Sequence, residues 1–70
     1  MPILLAPLDS EVTIVKIVCD EKTKKHLLDL GININTKVKI MSISGGAVVV
    51  KINESKIALD RNLATKIFVA

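Results

Sequence analysis

The sequence predicts a mainly β fold: a small closed barrel of about five short strands, with one short helix after the first strand and a single helical turn before the last. Isoleucine and valine number 18 among the 70 residues and fall in short runs, which suits half-buried strands. Glycine, asparagine and aspartate separate these runs and indicate tight turns. A chain of this length forms one domain, residues 1–70, because two domains would each be too small to hold a core.

The first predicted strand covers residues 11–18, where alternating polar and apolar residues give way to an apolar end. A short helix should follow and reach Leu30, with Asp20 and Thr23 as candidate N-caps. Gly31 should end the helix, because glycine takes the left-handed conformation without steric cost.

Two strands, residues 37–43 and 47–52, are expected to form a central hairpin around Ser44-Gly45-Gly46. A three-residue loop pairs Ile40 with Val50 and keeps the apolar residues of both strands on one face. A two-residue Gly-Gly loop would turn one strand inside out, so we predict the three-residue loop with a left-handed glycine. The predicted inner residues are Val38, Ile40, Val48, Val50 and Ile52.

A second hairpin is expected around residues 53–55. It should place Ile57 against Ile52, and the same register sets Leu59 against Val50. Closing the barrel would remove the sheet edges, which are a hazard in so apolar a chain.

The chain should end with a strand over residues 56–59, a helical turn over residues 61–64 capped by Asp60, and a last strand over residues 66–69. The core predicted from all these elements includes Leu27, Leu30, Val50, Leu59 and Ile67.

The composition excludes several classes of protein. Half of the residues are hydrophobic, which argues against disorder, yet no apolar run approaches the roughly 20 residues that cross a bilayer. The apolar start, residues 3–6, is too short for a signal peptide. Without a membrane span or a signal peptide we expect a cytoplasmic protein, and the single Cys19, which cannot form an internal disulfide, agrees with a reducing compartment.

A formal net charge of +3 is compatible with nucleic-acid binding, but the pattern is weak. Lys22, Lys24 and Lys25 form the only lysine cluster, and Asp20 and Glu21 lie beside it. A single aromatic residue leaves no platform on which bases could stack. We therefore expect no nucleic-acid partner and keep a small nucleic-acid-binding barrel as the alternative function.

Residues with catalytic or metal-binding chemistry are few. The chain has no nucleophile elbow, P-loop or Rossmann glycine pattern, so we expect neither an enzyme nor a bound cofactor. Cys19 and His26 lie near the two ends of the predicted helix, beside Asp20 and Glu21, which makes a metal-binding chaperone a third hypothesis. Structural zinc sites need four ligands at recognisable spacing, and Met41 falls in a strand, so we expect no metal site.

Two segments of the chain resemble a known family. Residues 26–32, followed by Thr36-Lys37-Val38, are similar to the "L-x-x-L-G-hydrophobic-x-x-G-T-x-V" core of FeoA, ferrous iron transport protein A. Residues 57–69 are similar to that family's "I-A-L-x-x-x-x-A-x-x-I-x-V" ending, and the resemblance covers roughly residues 8–69. Asn35 stands where the family usually has glycine, and asparagine is the next best residue for a left-handed turn.

The resemblance implies an SH3-like small barrel in the bacterial cytoplasm. It also implies a non-enzymatic accessory role in ferrous iron uptake, acting on FeoB, the large GTPase-linked membrane permease. The segment between the second and third strands is often longer in the family than Ser44-Gly45-Gly46. The same barrel is similar to the C-terminal domain of DtxR-type repressors, so a repressor-like SH3 module joins the nucleic-acid alternative.

The residues between the inner ones of the central hairpin should point outward. In the predicted register Met41 faces Val49 and Ile43 faces Ala47, which forms a small apolar strip bordered by lysines. An apolar strip with a polar rim is typical of a protein interface. The alternative is that the N-terminal segment, residues 1–7, covers this strip.

A second candidate surface lies on the predicted helix, where Leu28 flanks the apolar face next to Lys24. We therefore favour a protein-interaction module over nucleic-acid or metal binding. The predicted partner-binding residues are Met41, Ile43, Val49, Leu28 and Lys24.

Overall fold

The computed structural model describes all 70 residues and consists of five strands, two short α-helices and one 3-10 turn, Ile3–Leu5. The strands form one antiparallel sheet in the order β4-β3-β2-β1-β5. This confirms the predicted mainly β class and the placement of both helices. The elements are β1 (Glu11–Ile17), α1 (Glu21–Asp29), β2 (Lys37–Ser44), β3 (Ala47–Ile52), β4 (Ser55–Leu59), α2 (Arg61–Ala64) and β5 (Ile67–Val69).

Aspartate side chains begin both helices. The Asp20 carboxylate accepts a hydrogen bond from the Thr23 backbone N–H at 2.8 Å, so Asp20 is the N-cap of α1. The Asp60 carboxylate accepts one from the Leu63 N–H at 2.8 Å and begins α2 in the same way. Gly31 follows α1 with a φ of 90°, as its predicted role at the helix end requires.

The central hairpin differs from its predicted form. Its loop holds two residues, Gly45 and Gly46, and both have positive φ, as a tight primed turn demands. The ladder keeps Ile40 opposite Val50 because β2 contains a β-bulge at Met41. The predicted three-residue loop is wrong: the additional residue lies inside the strand and not in the turn.

The second hairpin is also tighter than predicted. Its turn contains two residues, Asn53 with a φ of 54° and then Glu54. Ile57 therefore stands opposite Val50, which lies two residues before the predicted partner Ile52 and further from the turn. Leu59 correspondingly stands opposite Val48, again on the inner face.

The sheet does not close completely, because no backbone ladder joins β4 to β5 and α2 connects them instead. The N-terminal residues protect the outer edge of β5. The Val69 N–H donates to the Met1 carbonyl at 2.7 Å, the Met1 ammonium donates to the Val69 carbonyl at 2.8 Å, and Pro2 pairs with Phe68. The prediction of a closed barrel is therefore wrong at this one junction.

One hydrophobic core of 15 buried residues lies inside the curved sheet. All five predicted inner residues of the hairpin belong to it, as do Leu27, Leu59 and Ile67. Leu30 is only half-buried, because it is the C-cap residue of α1. The chain then turns at Gly31, and the Ile32 N–H bonds the Leu27 carbonyl, which leaves Ile32 buried.

None of the helices combines the length and the apolar character that crossing a bilayer requires.

Candidate functional site

The bulge at Met41 determines which side chains of β2 reach the outer face of the sheet. Beyond the bulge, Ser42 stands opposite Val49, and Ile43 stands opposite the buried Val48. Ile43 is half-buried and packs against the core. The predicted outward pair of Ile43 with Ala47 is therefore wrong, because one inserted residue reverses the alternation of side chains that follow it.

An apolar strip nevertheless remains on the outer face, although its members differ from those predicted. Val49 stands opposite Ser42 on one side and Ala58 on the other. In a bulge two residues oppose one, so Met41 shares this position with Ser42. We define the outer strip as Met41, Val49 and Ala58, of which the first two are half-buried and Ala58 is exposed.

The N-terminal segment is not placed over the outer strip. Its first residues pair with β5, which lies at the opposite edge of the sheet from β4. Ile3 and Ala6 from this segment are buried in the core. The alternative in which residues 1–7 cover the strip therefore does not describe this structure.

Charged side chains form a second row on the same outer face. Lys39 stands opposite Glu11 on one side and opposite Lys51 on the other. Lys51 in turn stands opposite Lys56. Directly opposed residues of antiparallel strands point to the same side of the sheet. We name Lys39, Lys51 and Lys56 the lysine row; it crosses three strands and has Glu11 at its β1 end.

An open depression of about 400 Å³ lies over one end of the lysine row. Three lysines, one glutamate and one asparagine line it, and no hydrophobic side chain contributes. The lining consists of Glu11, Lys37, Lys39, Lys51 and Asn53.

The second predicted surface lies on α1, an element separate from the hairpin. Leu28 is 53% exposed, and Lys24, one helical turn earlier, is also exposed. The Asp20 cap at the start of this helix has its pKa lowered, first by hydrogen bonding to Thr23 and further by the positive charge of Lys66. The structure thus exposes both of the predicted helix residues.

The two residues of the metal-binding hypothesis differ in their exposure to solvent. Cys19 is half-buried and packs against the core, while His26 is exposed on α1. No group of three or more histidine, cysteine, aspartate or glutamate side chains is arranged to hold a metal ion. The arrangement that the structure offers is a solvent-facing sheet surface with an apolar strip beside a row of lysines.

These features define the class of the protein as a small SH3-like antiparallel barrel that presents a surface and not a deep cleft. The family model of the FeoA domain matches residues 1–70. The chain therefore belongs to the FeoA domain family, which confirms the resemblance carried by its two sequence motifs.

Individual relatives agree with this membership. A candidate Fe(2+) transport protein A of Methanocaldococcus jannaschii is 35% identical over 68 residues, which cover 97% of this chain and 83% of that protein. A crystal structure of the iron uptake regulatory protein FeoA matches with a TM-score of 0.85 at 16% identity, over 99% of this chain and 92% of that chain.

The fold also occurs within a longer chain. IdeR of T. acidophilum matches with a TM-score of 0.88 at 24% identity, over 99% of this chain but only 32% of that chain. At this identity the likeness concerns the fold alone.

Proposed function

We propose that this protein is a cytoplasmic, non-enzymatic accessory of ferrous iron uptake that acts as an interaction module on a FeoB-type membrane permease. The observation that carries the proposal is the match of the whole chain to the FeoA domain. The relative named for Fe(2+) transport, at 35% identity, supports the same process.

The contact surface in this proposal is the outer strip. Met41 and Val49 keep part of their apolar area in water in the free protein. A partner that covers the strip removes this area from water, and the lysines around it would remain as a polar rim. Ile43 takes no part in the contact, because its side chain packs against the core.

The variant Val49→Lys tests the contact directly. The new ammonium group would lie in water in the free protein, but a partner over the strip would have to desolvate it. We expect a folded variant, judged by its ¹H–¹⁵N spectrum, that recovers at least about tenfold less permease from solubilised membranes than the unmodified protein.

The matched control is Asn62→Lys, which adds the same charge at an exposed position of α2. Its recovery of the permease should equal that of the unmodified protein. Full recovery by Val49→Lys would move the contact to the predicted surface on α1, around Leu28 and Lys24. Failure of the unmodified protein to recover any permease would contradict the proposed function itself.

A further inference from the structure

The lysine row has no explanation in folding. Lys51 is half-buried and has a lysine directly opposite it on both neighbouring strands, at Lys39 and Lys56. Like charges directly opposite one another destabilise a sheet, whereas opposite charges stabilise it. A solvated sheet face gains most when charges of both signs alternate, and here only Glu11, at the end of the row, supplies a negative charge.

The dimensions of the lysine row fit an extended chain better than a single small anion. Neighbouring strands lie about 4.8 Å apart, so the three lysines span about 10 Å, close to the length of three residues of an extended peptide. No glycine-rich loop or helix N-terminus contributes to the depression beside the row, so the usual cradle for phosphate is missing from its lining. Lysine ammonium groups are mobile point charges, which suits carboxylates spaced along a chain.

The outer strip runs beside the lysine row on the same face. Val49 lies two residues from Lys51 on β3, and Ala58 lies two residues from Lys56 on β4. Residues two apart on a strand share a face, so apolar and basic positions form adjacent parallel lines. A peptide laid across these strands would meet both lines at once.

We propose that the lysine row binds an acidic, extended segment of the protein partner, with the apolar residues of that segment on the outer strip. This inference rests on the proposed function, because it assumes that the partner is a protein. Charge complementarity supplies the recognition: three lysines with one acid among their neighbours leave the face positive. Lys39 and Lys56 are exposed and Lys51 is half-buried, so this charge-based binding should weaken as salt is added.

The test uses a synthetic oligoglutamate peptide titrated into the ¹⁵N-labelled protein at low salt. We expect the largest changes in ¹H and ¹⁵N chemical shift at the backbone amides of Lys39, Lys51 and Lys56. Lys51→Glu places a carboxylate at the centre of the row and should weaken peptide binding about tenfold or more. Lys22→Glu makes the same change of charge on α1 and should weaken it less than about twofold.

Titrations with other anions test whether the lysine row prefers an acidic peptide. Inorganic triphosphate, duplex DNA and vesicles containing phosphatidylglycerol are titrated in the same way. Tighter binding of any of these at the lysine row would overturn the choice of an acidic peptide. An equal loss of peptide binding in Lys51→Glu and Lys22→Glu would overturn the row as a site, because net charge alone would then explain the binding.

The membrane recovery assay separates this inference from the proposed function. Loss of permease recovery in Lys51→Glu but not in Lys22→Glu would support the row as part of the contact. Full recovery by Lys51→Glu would overturn the inference and leave the proposed function standing. If the unmodified protein recovers no permease, the proposed function fails, and the peptide titration alone decides whether the row binds acidic chains.

Discussion

The inner and outer faces of the β2–β3 hairpin carry side chains of opposite character on one backbone. The inner side chains of Val38, Ile40, Val48 and Val50 are at most 1% exposed. The outer face of the same strands carries Lys37, Lys39 and Lys51, together with Met41 and Val49 of the outer strip, which are half-buried. Burial explains why the inner residues are aliphatic, and any aliphatic set of similar volume would serve. Folding gives no such reason for the lysines, so the outer face is where recognition is expected.

The largest expected difference in stability between a buried and an exposed position is found by truncating two leucines. Leu59 is 1% exposed on the inner face of β4, and Leu28 is 53% exposed on α1. Leu59→Ala removes buried methyl groups and leaves a cavity, so it should lower the free energy of unfolding by about 2–5 kcal/mol. Leu28→Ala, the matched control, should change it by less than about 0.5 kcal/mol. Urea denaturation measures both, and equal effects would show that the faces are wrongly assigned.

A smaller effect of opposite sign is expected on the outer face. Lys51→Glu turns two like-charge pairs, with Lys39 and Lys56, into two opposite-charge pairs. We expect the free energy of unfolding to rise by about 0.4–2 kcal/mol at low salt, since each pair contributes about 0.2–1 kcal/mol. The gain should shrink as sodium chloride is added. A variant less stable than the unmodified protein in urea at low salt would contradict the repulsion on which the comparison depends.

The smallest expected effect involves Asp20, an exposed charge outside the hairpin. Its folded pKa is lowered, chiefly by hydrogen bonding to Thr23, so its ionised form is favoured by folding. Its contribution to stability is complete above the ordinary aspartate pKa of about 3.9 and is lost as pH falls through the lowered folded value. Asp20→Asn retains a capping side chain that cannot ionise, so this part of the pH dependence should vanish. Thermal melts of both proteins between about pH 5 and 2 check this, and identical pH profiles would contradict it.

Much of the fold could be predicted because its signals are local. The caps at Asp20 and Asp60 and the stop at Gly31 each depend on a few neighbouring residues, and the structure confirms all three. The inner face of the hairpin was also predictable, because the hydrophobic pattern alone specifies it. Family membership followed from two motifs that span most of the chain.

The features that the sequence did not predict depend on contacts between distant segments. The bulge at Met41 reconciles a Gly-Gly turn with a buried face, and neither requirement by itself places the additional residue. Ile3 belongs to the core because the N-terminal residues bind the edge of β5, and the residues that pair there are 66 or more positions apart in the sequence. The lysine row can be recognised only when the registers of three strand pairs are known. The register of β3 with β4 was predicted two residues away from the one observed.

The bulge at Met41 also allows the loop of this hairpin to change length during evolution while the total length of the hairpin stays the same. In a regular hairpin, adding one residue to the loop reverses the facing of an entire strand, so loop lengths can change only in steps of two. A strand that already holds one surplus residue can lose it when the loop gains one, and the inner aliphatic face is preserved. Related chains of equal length can therefore hold the additional residue either in β2 or in the turn between β2 and β3 without rebuilding the core.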